Sequence, residues 1–296
     1  MYTQGQSERP TSAALPDKPA LLRLSGVGFA YHPGADVLEA LSGELHAGQL
    51  CIMIGPNAAG KSTLLRLMLG LLRPTAGRVL LAGRDVAELR PGHRAARVGY
   101  VPQGTRVPFA FTVRQVVEMG RHALVRDDRR VHWALRCCDL LDQQHRIFAE
   151  LSAGQQQRVL LARALAQVGS PDADPTPDAT DGEGTGRILL LDEPTSAMDL
   201  RHTHETMQVL RTQAMRGLAV LAVLHDLNLA ARYADRIWLL HEGRLLEDAP
   251  WPQVLRPPVL EPVYGVKLTA HRSEAGDRPL FSAELTDTLR DEAGPP

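Results

Sequence analysis

The chain has 296 residues, 44% of them hydrophobic, enough to bury a sizeable core in one large domain or two small ones. Its formal net charge of −1 at pH 7 provides no global basic field for a nucleic-acid backbone, so nucleic acid is not an expected partner. No apolar run approaches the roughly eighteen residues a membrane helix needs, and the polar, proline-containing start lacks the apolar segment of a secretory leader.

In chain order, residues 1–20 read as a flexible tail. From Leu21, the alternation Leu22, Leu24 and then Val27, Phe29 predicts strands ending at a turn over Tyr31, His32, Pro33 and Gly34. Residues 45–54 lead forward, the apolar run 50–54 reading as a buried strand, and residues 64–69 have the composition of a packed helix. Between these stand Gly55, Pro56, Asn57, Ala58, Ala59, Gly60, Lys61, Ser62 and Thr63, the pattern G-x-x-x-x-G-K-[ST]. A strand, a glycine-bearing turn and a helix N-terminus make an anion cradle, because successive backbone N–H groups point inward and the helix dipole favours phosphate. The lysine can reach the β- and γ-phosphates, and the pattern adds a hydroxyl for Mg²⁺. The chain holds only three lysines, Lys18, Lys61 and Lys267, against thirty arginines. A sequence that otherwise uses arginine has put a compact ammonium at the one place where phosphate chemistry suits it.

Residues 77–83 form a strand bounded by glycines, and residues 98–103 another that ends on Gln103. From 112 to about 150 the apolar spacing turns helical, which predicts a helical insertion within an α/β core. Leu151, Ser152, Ala153, Gly154 and Gln155 open the next helix, with Ser152 and Gln155 spaced as a capping box. An acidic stretch rich in Pro, Asp, Gly and Thr follows from residue 170 and reads as a solvated loop. Residues 188–193 are an apolar central strand ending in Asp192 and Glu193, and 218–224 a second one ending at His225. A helix over 228–233 and a hairpin of 236–240 with 244–247 close the core; 266–271 can pair with 280–285, and 286–296 is frayed. Strands alternating with helices mean a mostly parallel sheet.

Asp192, at the carboxyl end of its strand, suits the metal side of a phosphate site. Glu193 points differently and is free to act as general base for an attacking water. His225 can contact the γ-phosphate or hold that water; alone, it reads first as a histidine hydrogen-bonded at a sheet edge, and the phosphate loop upstream reverses that preference. Cys51 reads as a small buried apolar residue, and Cys137 and Cys138 as core packing, since two adjacent thiols lack zinc-site spacing. Three cysteines that cannot all pair favour a reduced compartment.

Lys61 in its loop, Gln103, the segment from Leu151 to Gln155, Asp192 with Glu193 and Pro194, Ser196 to Asp199, and His225 occur in the order found in ATP-binding cassette (ABC) ATPases, and residues 21 to about 248 resemble that family. The resemblance implies a P-loop NTPase (RecA-like) α/β core with a mostly parallel sheet, an antiparallel β element and an inserted helical subdomain at about 104–150. It implies ATP and Mg²⁺ as ligands. Tyr31 resembles the aromatic that stacks on adenine, although a turn tyrosine packing on the sheet reads as well. Residues Gly55 to Thr63 resemble the Walker A segment, with Lys61 on the phosphates and Ser62 on Mg²⁺. Gln103 resembles the glutamine that senses Mg²⁺ and links the site to the helical insertion. Ser152, Ala153, Gly154 and Gln155 resemble the signature that acts on the nucleotide of the other subunit. Asp192 resembles the metal-side aspartate, Glu193 the base, Asp199 the cross-dimer loop residue and His225 the switch histidine.

The chain departs from the family pattern in three ways. Ala58 and Ala153 stand where glycine is usual, which costs on the order of 1 kcal/mol wherever the backbone needs a positive φ. The third is the acidic loop, 168–187, which lengthens the spacing between Ser152 and Asp192.

The insertion sequence around Phe111 to Arg121, the run from His225 to Arg236, and Val263, Tyr264, Gly265 and Val266 are similar to ATPases of iron–siderophore, haem and vitamin B12 importers. The expected protein is therefore an ATP-hydrolysing importer subunit at the cytoplasmic face of the cell membrane. It would form a homodimer on integral-membrane permease subunits, meet a substrate-binding protein indirectly, and import an iron–siderophore or haem; vitamin B12 or another substrate is the alternative. Residues 249–296 would be a C-terminal extension. Two readings from other classes are a soluble clamp on ribosomes or DNA and a nucleotide-dependent regulator without turnover. The first lacks the second cassette or long coiled coil of such relatives, and the second conflicts with Glu193 and His225 both being present.

Overall fold

The computed structural model describes residues 20–104, 109–169, 186–272 and 278–285. The expected tail up to residue 19, nearly all of the acidic loop, the 273–277 turn and the frayed end fall outside the described residues, and Ala20, the last residue of that tail, already opens the first strand.

The chain begins with two long strands, β1 (Ala20–Ala30) and β2 (Asp36–His46), then β3 (Leu50–Ile54) and α1 (Lys61–Met68). Next come β4 (Ala76–Leu81), β5 (Arg84–Asp85), α2 (Pro91–Arg97) and β6 (Val98–Val101). The helical region holds α3 (Val113–Glu118), α4 (Asp128–Cys137) and, after short 3₁₀ turns, α5 (Ala153–Val168). The second half alternates β7 (Ile188–Asp192), α6 (Leu200–Met215), β8 (Ala219–Val223), α7 (Leu227–Tyr233), β9 (Arg236–His241) and β10 (Arg244–Pro250). It ends with α8 (Trp251–Val254), α9 (Pro257–Tyr264), β11 (Val266–Arg272) and β12 (Pro279–Leu285).

The six-stranded sheet runs β10-β9-β3-β8-β7-β6. Every neighbouring pair is parallel except the edge pair β9 and β10. β3, β7 and β8 are buried along their whole length, which is why they read as unbroken apolar runs rather than alternations. Alternation along them nonetheless sorts their side chains between two cores. Ile52, Ile54, Leu189, Leu191, Val220 and Ala222 face the helical side and pack with α3 to α7. Cys51, Met53, Ile188, Leu190, Leu221 and Val223 face the other way, onto α1 and the antiparallel sheet β2-β1-β4-β5. Cys51 and Cys138 are buried and Cys137 is half-buried against the helical-side core, as packing residues should be; burial pushes all three thiols above their ordinary pKa.

The expected hairpin of 266–271 with 280–285 forms as β11 and β12. Four features are additional to the sequence reading: β2 as a full partner of β1, the surface helix α2, the long helix α6, and the pair α8 and α9. No helix among the described residues is long and apolar enough to cross a membrane.

Candidate active site

The site sits at the carboxyl ends of the parallel strands, where open α/β sheets leave a crevice. β3 delivers the glycine-bearing loop. Gly55 follows Ile54 with φ +151°, and a Cβ there would lie 2.0 Å from the Leu240 carbonyl oxygen of β9, so only glycine fits between loop and sheet. Gly60, at φ +99°, is the N-cap of α1 and turns the chain into the helix. Inside the loop, Lys61 is buried and its Nζ donates to the carbonyls of Gly55 at 2.8 Å and Pro56 at 2.7 Å. Burial lowers its pKa, against the opposing pull of Glu193 and Asp192. The ammonium thus arches over the loop, with two of its three donors on loop carbonyls.

Ala58 lies at φ 63°, in the left-handed region, whereas Ala153 is the first residue of α5 and carries no such strain. Of the two expected departures, therefore, only the one at 58 costs backbone energy. Left-handed backbone costs an L-residue about 1–2 kcal/mol, and glycine forfeits about 0.5–1 kcal/mol through its freer unfolded chain. Ala58→Gly is expected to stabilise the protein by about 0.5 kcal/mol net, read as a higher denaturant midpoint at unchanged slope; a lower midpoint would contradict the strain.

Strand register brings the next three groups together. β6 and β7 pair Val101 with Leu191, and β7 and β8 pair Asp192 with Val223. Gln103, Glu193 and His225 consequently leave three adjacent strand ends side by side. Gln103 Nε2 donates to Glu193 Oε2 at 2.9 Å, and His225 Nε2 lies 2.6 Å from Oε1. Glu193 itself sits at φ 50°, a left-handed conformation held by a turn in which the Ser196 hydroxyl and backbone N–H both donate to its carbonyl. Strain of this kind persists where surrounding structure enforces it, typically at sites of function.

Asp192, one residue earlier, is buried at the end of β7. Burial raises its carboxyl pKa; the Ser62 hydroxyl bonded to it and the nearby Lys61 act in the opposite direction. Ser62, Asp192 and Gln103 supply hard oxygen donors, and the half-desolvated carboxylate gains from a cation, so this set fits Mg²⁺ beside a triphosphate. No group of three or more His, Cys, Asp or Glu able to hold a metal occurs among the described residues. Magnesium, which keeps waters and shares substrate oxygens, needs none.

Tyr31 stands half-exposed at the rim, its ring edge-on to Phe29 and its hydroxyl 3.3 Å from Thr63 Oγ1. That bond lowers the phenol pKa. Arg66 Nη1 reaches the same hydroxyl at 3.5 Å, a neighbour the sequence reading did not single out.

Ser152, Gly154, Gln155 and Asp199 form a second cluster. The Ser152 and Gln155 side chains each accept the other's backbone N–H, so the capping box is real. Asp199 caps α6 and accepts from the His202 backbone N–H at 2.8 Å, the bond that most lowers its pKa. A Cβ on Gly154 would stand 2.6 Å from the Ala197 carbonyl oxygen. The tip of α5 thus presses on the turn leading into α6.

The family model described as ABC transporter matches residues 38–169. The chain is 41% identical over 273 residues to the hemin import ATP-binding protein HmuV of Rhodopseudomonas palustris, covering 91% of this chain and 97% of that one. To the protein of the same name from Pseudomonas aeruginosa it is 42% identical over 256 residues, covering 84% and 95%. Among solved structures, an inward-facing putative metal-chelate type ABC transporter aligns with a TM-score of 0.73 at 26% identity, over 92% of this chain and 100% of that one. A dimeric ATP-binding cassette in a post-hydrolysis state, bound to ADP and phosphate, aligns with a TM-score of 0.66 at 27% identity, over 79% and 99%.

Proposed function

The chain belongs to the ABC transporter family as one of its ATP-binding, ATP-hydrolysing subunits, and on that premise we propose that it powers haem uptake through a separate membrane permease. Residues 21–248 form the cassette, with the helical subdomain at about 104–150, and residues 249–296 are an extension to it. Two copies close head-to-tail at the cytoplasmic face of the membrane, on permease subunits that receive haem from a binding protein.

In each copy the triphosphate lies in the loop from Gly55 to Thr63, with Lys61 swinging from its loop carbonyls onto the β- and γ-phosphates. Tyr31 stacks on adenine while Thr63 and Arg66 hold its hydroxyl. Ser62, Asp192 and Gln103 would hold Mg²⁺, which would neutralise charge on the phosphate oxygens. Glu193 accepts the proton of the attacking water; Gln103 and His225 fix its carboxylate, one on each oxygen. Ser152, Ala153, Gly154, Gln155 and Asp199 act on the nucleotide of the partner copy. The observation that carries the catalytic reading is the bracketing of Glu193 by two neighbouring strand ends beside the phosphate loop. The cargo reading is supported by relatives named for hemin import that align over nearly their whole length.

The test is ATP hydrolysis by the reconstituted importer, with its permease and binding protein in liposomes. Haem is expected to stimulate turnover several-fold, while a ferric siderophore or a corrin leaves it at the basal rate. Stimulation by one of those instead would reassign the cargo.

A further inference from the structure

The C-terminal extension is tied to both ends of the site just described. At one end, α9 brings the Tyr264 hydroxyl against the backbone of Gly55, the first residue of the phosphate loop. That hydroxyl is buried without a well-formed hydrogen bond, and burial pushes its pKa up to about 12. Leu260 and Val263 of the same helix are buried in the core cluster that contains Ile52 and Ile54 of β3.

At the other end, the hairpin grips α7, the helix that starts two residues beyond His225. Asn228, in the first turn of α7, uses its side-chain amide as a peptide group would. Its Oδ1 accepts from the Phe281 N–H at 2.6 Å, and its Nδ2 donates to the Phe281 carbonyl at 3.1 Å. The Phe281 ring is itself buried in the core. At the far end of α7, Arg278 Nη1 donates to the carbonyls of Ala231 at 2.6 Å and Ala234 at 2.9 Å, its guanidinium over the Trp251 ring. Glu261 closes the arrangement by accepting from the Leu268 N–H at 2.8 Å, which joins α9 to β11.

The segment from His225 to Asn228 is short and strongly determined. Asp226 caps α7 through the backbone N–H groups of Asn228 and Leu229, so a shift of Asn228 carries Asp226 with it, and His225 is joined directly to Asp226. His225 in turn lies 2.6 Å from the carboxylate of Glu193. A displacement of the first turn of α7, rather than of its far end, is therefore delivered to the group that activates water, and a misplacement near 1 Å is enough to cost orders of magnitude in rate.

We propose that the C-terminal hairpin β11–β12 is a positioning element of the ATPase site, and that Asn228, through its amide clamp on Phe281, is the positioning residue that holds His225 in register with Glu193. The inference rests on the catalytic reading given above for Glu193 and His225. It assigns to the extension a part in turnover, and to Asn228 a role distinct from contact with nucleotide.

The experiment compares steady-state ATP hydrolysis and thermal melting of the full-length chain with those of three variants. Asn228→Ala removes both hydrogen bonds and is expected to lower kcat about tenfold while the KM for ATP stays within about twofold. Asn228→Asp keeps the acceptor for the Phe281 N–H but turns a second oxygen toward the Phe281 carbonyl in place of the donor, so it is expected to recover only part of that loss, leaving kcat about threefold to fivefold below the parent. Arg278→Ala unlatches the distal end of α7 and is expected to lower Tm with kcat unchanged. If Asn228→Ala does not fold, Asn228→Asp against Arg278→Ala carries the same comparison. A kcat equal to the parent's in the Asn228 variants, or one that falls only as far as it does in Arg278→Ala, overturns the proposal. A parent chain that does not hydrolyse ATP, or one whose hydrolysis survives Glu193→Gln, overturns the underlying catalytic reading instead.

Discussion

Glu193→Gln is expected to reduce ATP turnover by about a hundredfold to a thousandfold while nucleotide binding persists. The substitution is nearly isosteric, so the turn that holds position 193 in its left-handed conformation, with Ser196 on the carbonyl, remains available. What disappears is the capacity to take a proton. An amide cannot serve as the base, and its NH₂ group confronts donors where the carboxylate had accepted from Gln103 and lain against His225. The expected signature is a loss in kcat without a matching rise in the dissociation constant for ATP, because the lost interaction belongs to the transition state. Phosphate release under saturating MgATP, with nucleotide affinity measured alongside, checks it. Undiminished hydrolysis would remove Glu193 from the chemistry.

Lys61→Ala is expected to act earlier, at binding. The side chain ties down the carbonyls of Gly55 and Pro56, and in the role proposed above it also presents a charge to the phosphates. A charge-assisted hydrogen bond to phosphate contributes about 1.5–3 kcal/mol, so affinity for ATP should fall about tenfold to a hundredfold and turnover further still. Lys61→Arg is expected to fail as well, in a protein with thirty arginines and three lysines. The planar guanidinium is larger and cannot turn three donors into a loop that already closes on the buried ammonium. Equilibrium binding of ATP and single-turnover hydrolysis measure the two effects separately. Intact affinity and rate in the alanine variant would dismantle the phosphate-loop reading.

The parts of this molecule that were legible in its sequence are those where one local requirement dictates residue type. The buried strands β3, β7 and β8 announce themselves because both faces are covered. The capping box at Ser152 follows from spacing alone, and the clasp of Gln103, Glu193 and His225 follows once three strand ends are adjacent. The parts that were not legible share a different property. β2 pairs with β1 through several register shifts, so its buried residues Leu38, Leu41 and Leu45 do not alternate. α6 buries Thr206 and Gln213 beside Met207, Leu210 and Ala214, so two of the five residues in its inward stripe are polar and it escapes an apolar count. α9 opens on Pro257 and Pro258 and contains Pro262, residues that argue against a helix until tertiary packing of Leu260 and Val263 outweighs them. Tyr31 and Asp199 illustrate a further limit: each makes the ordinary local bond expected of a turn tyrosine or a cap, and that bond leaves its other role open.

The contact between Gly154 and Ala197 has a mechanical consequence. Only a hydrogen atom fits at that point, and one residue before Ala197 the Ser196 side chain hooks the carbonyl of Glu193. The leading end of α5 and Glu193 are thus separated by a few peptide units of one turn. In the closed pair proposed above, α5 of one copy would abut ATP bound by its twin, and this turn would carry that contact to the Glu193 of its own copy. Occupancy of one pocket would then bear on hydrolysis in the other.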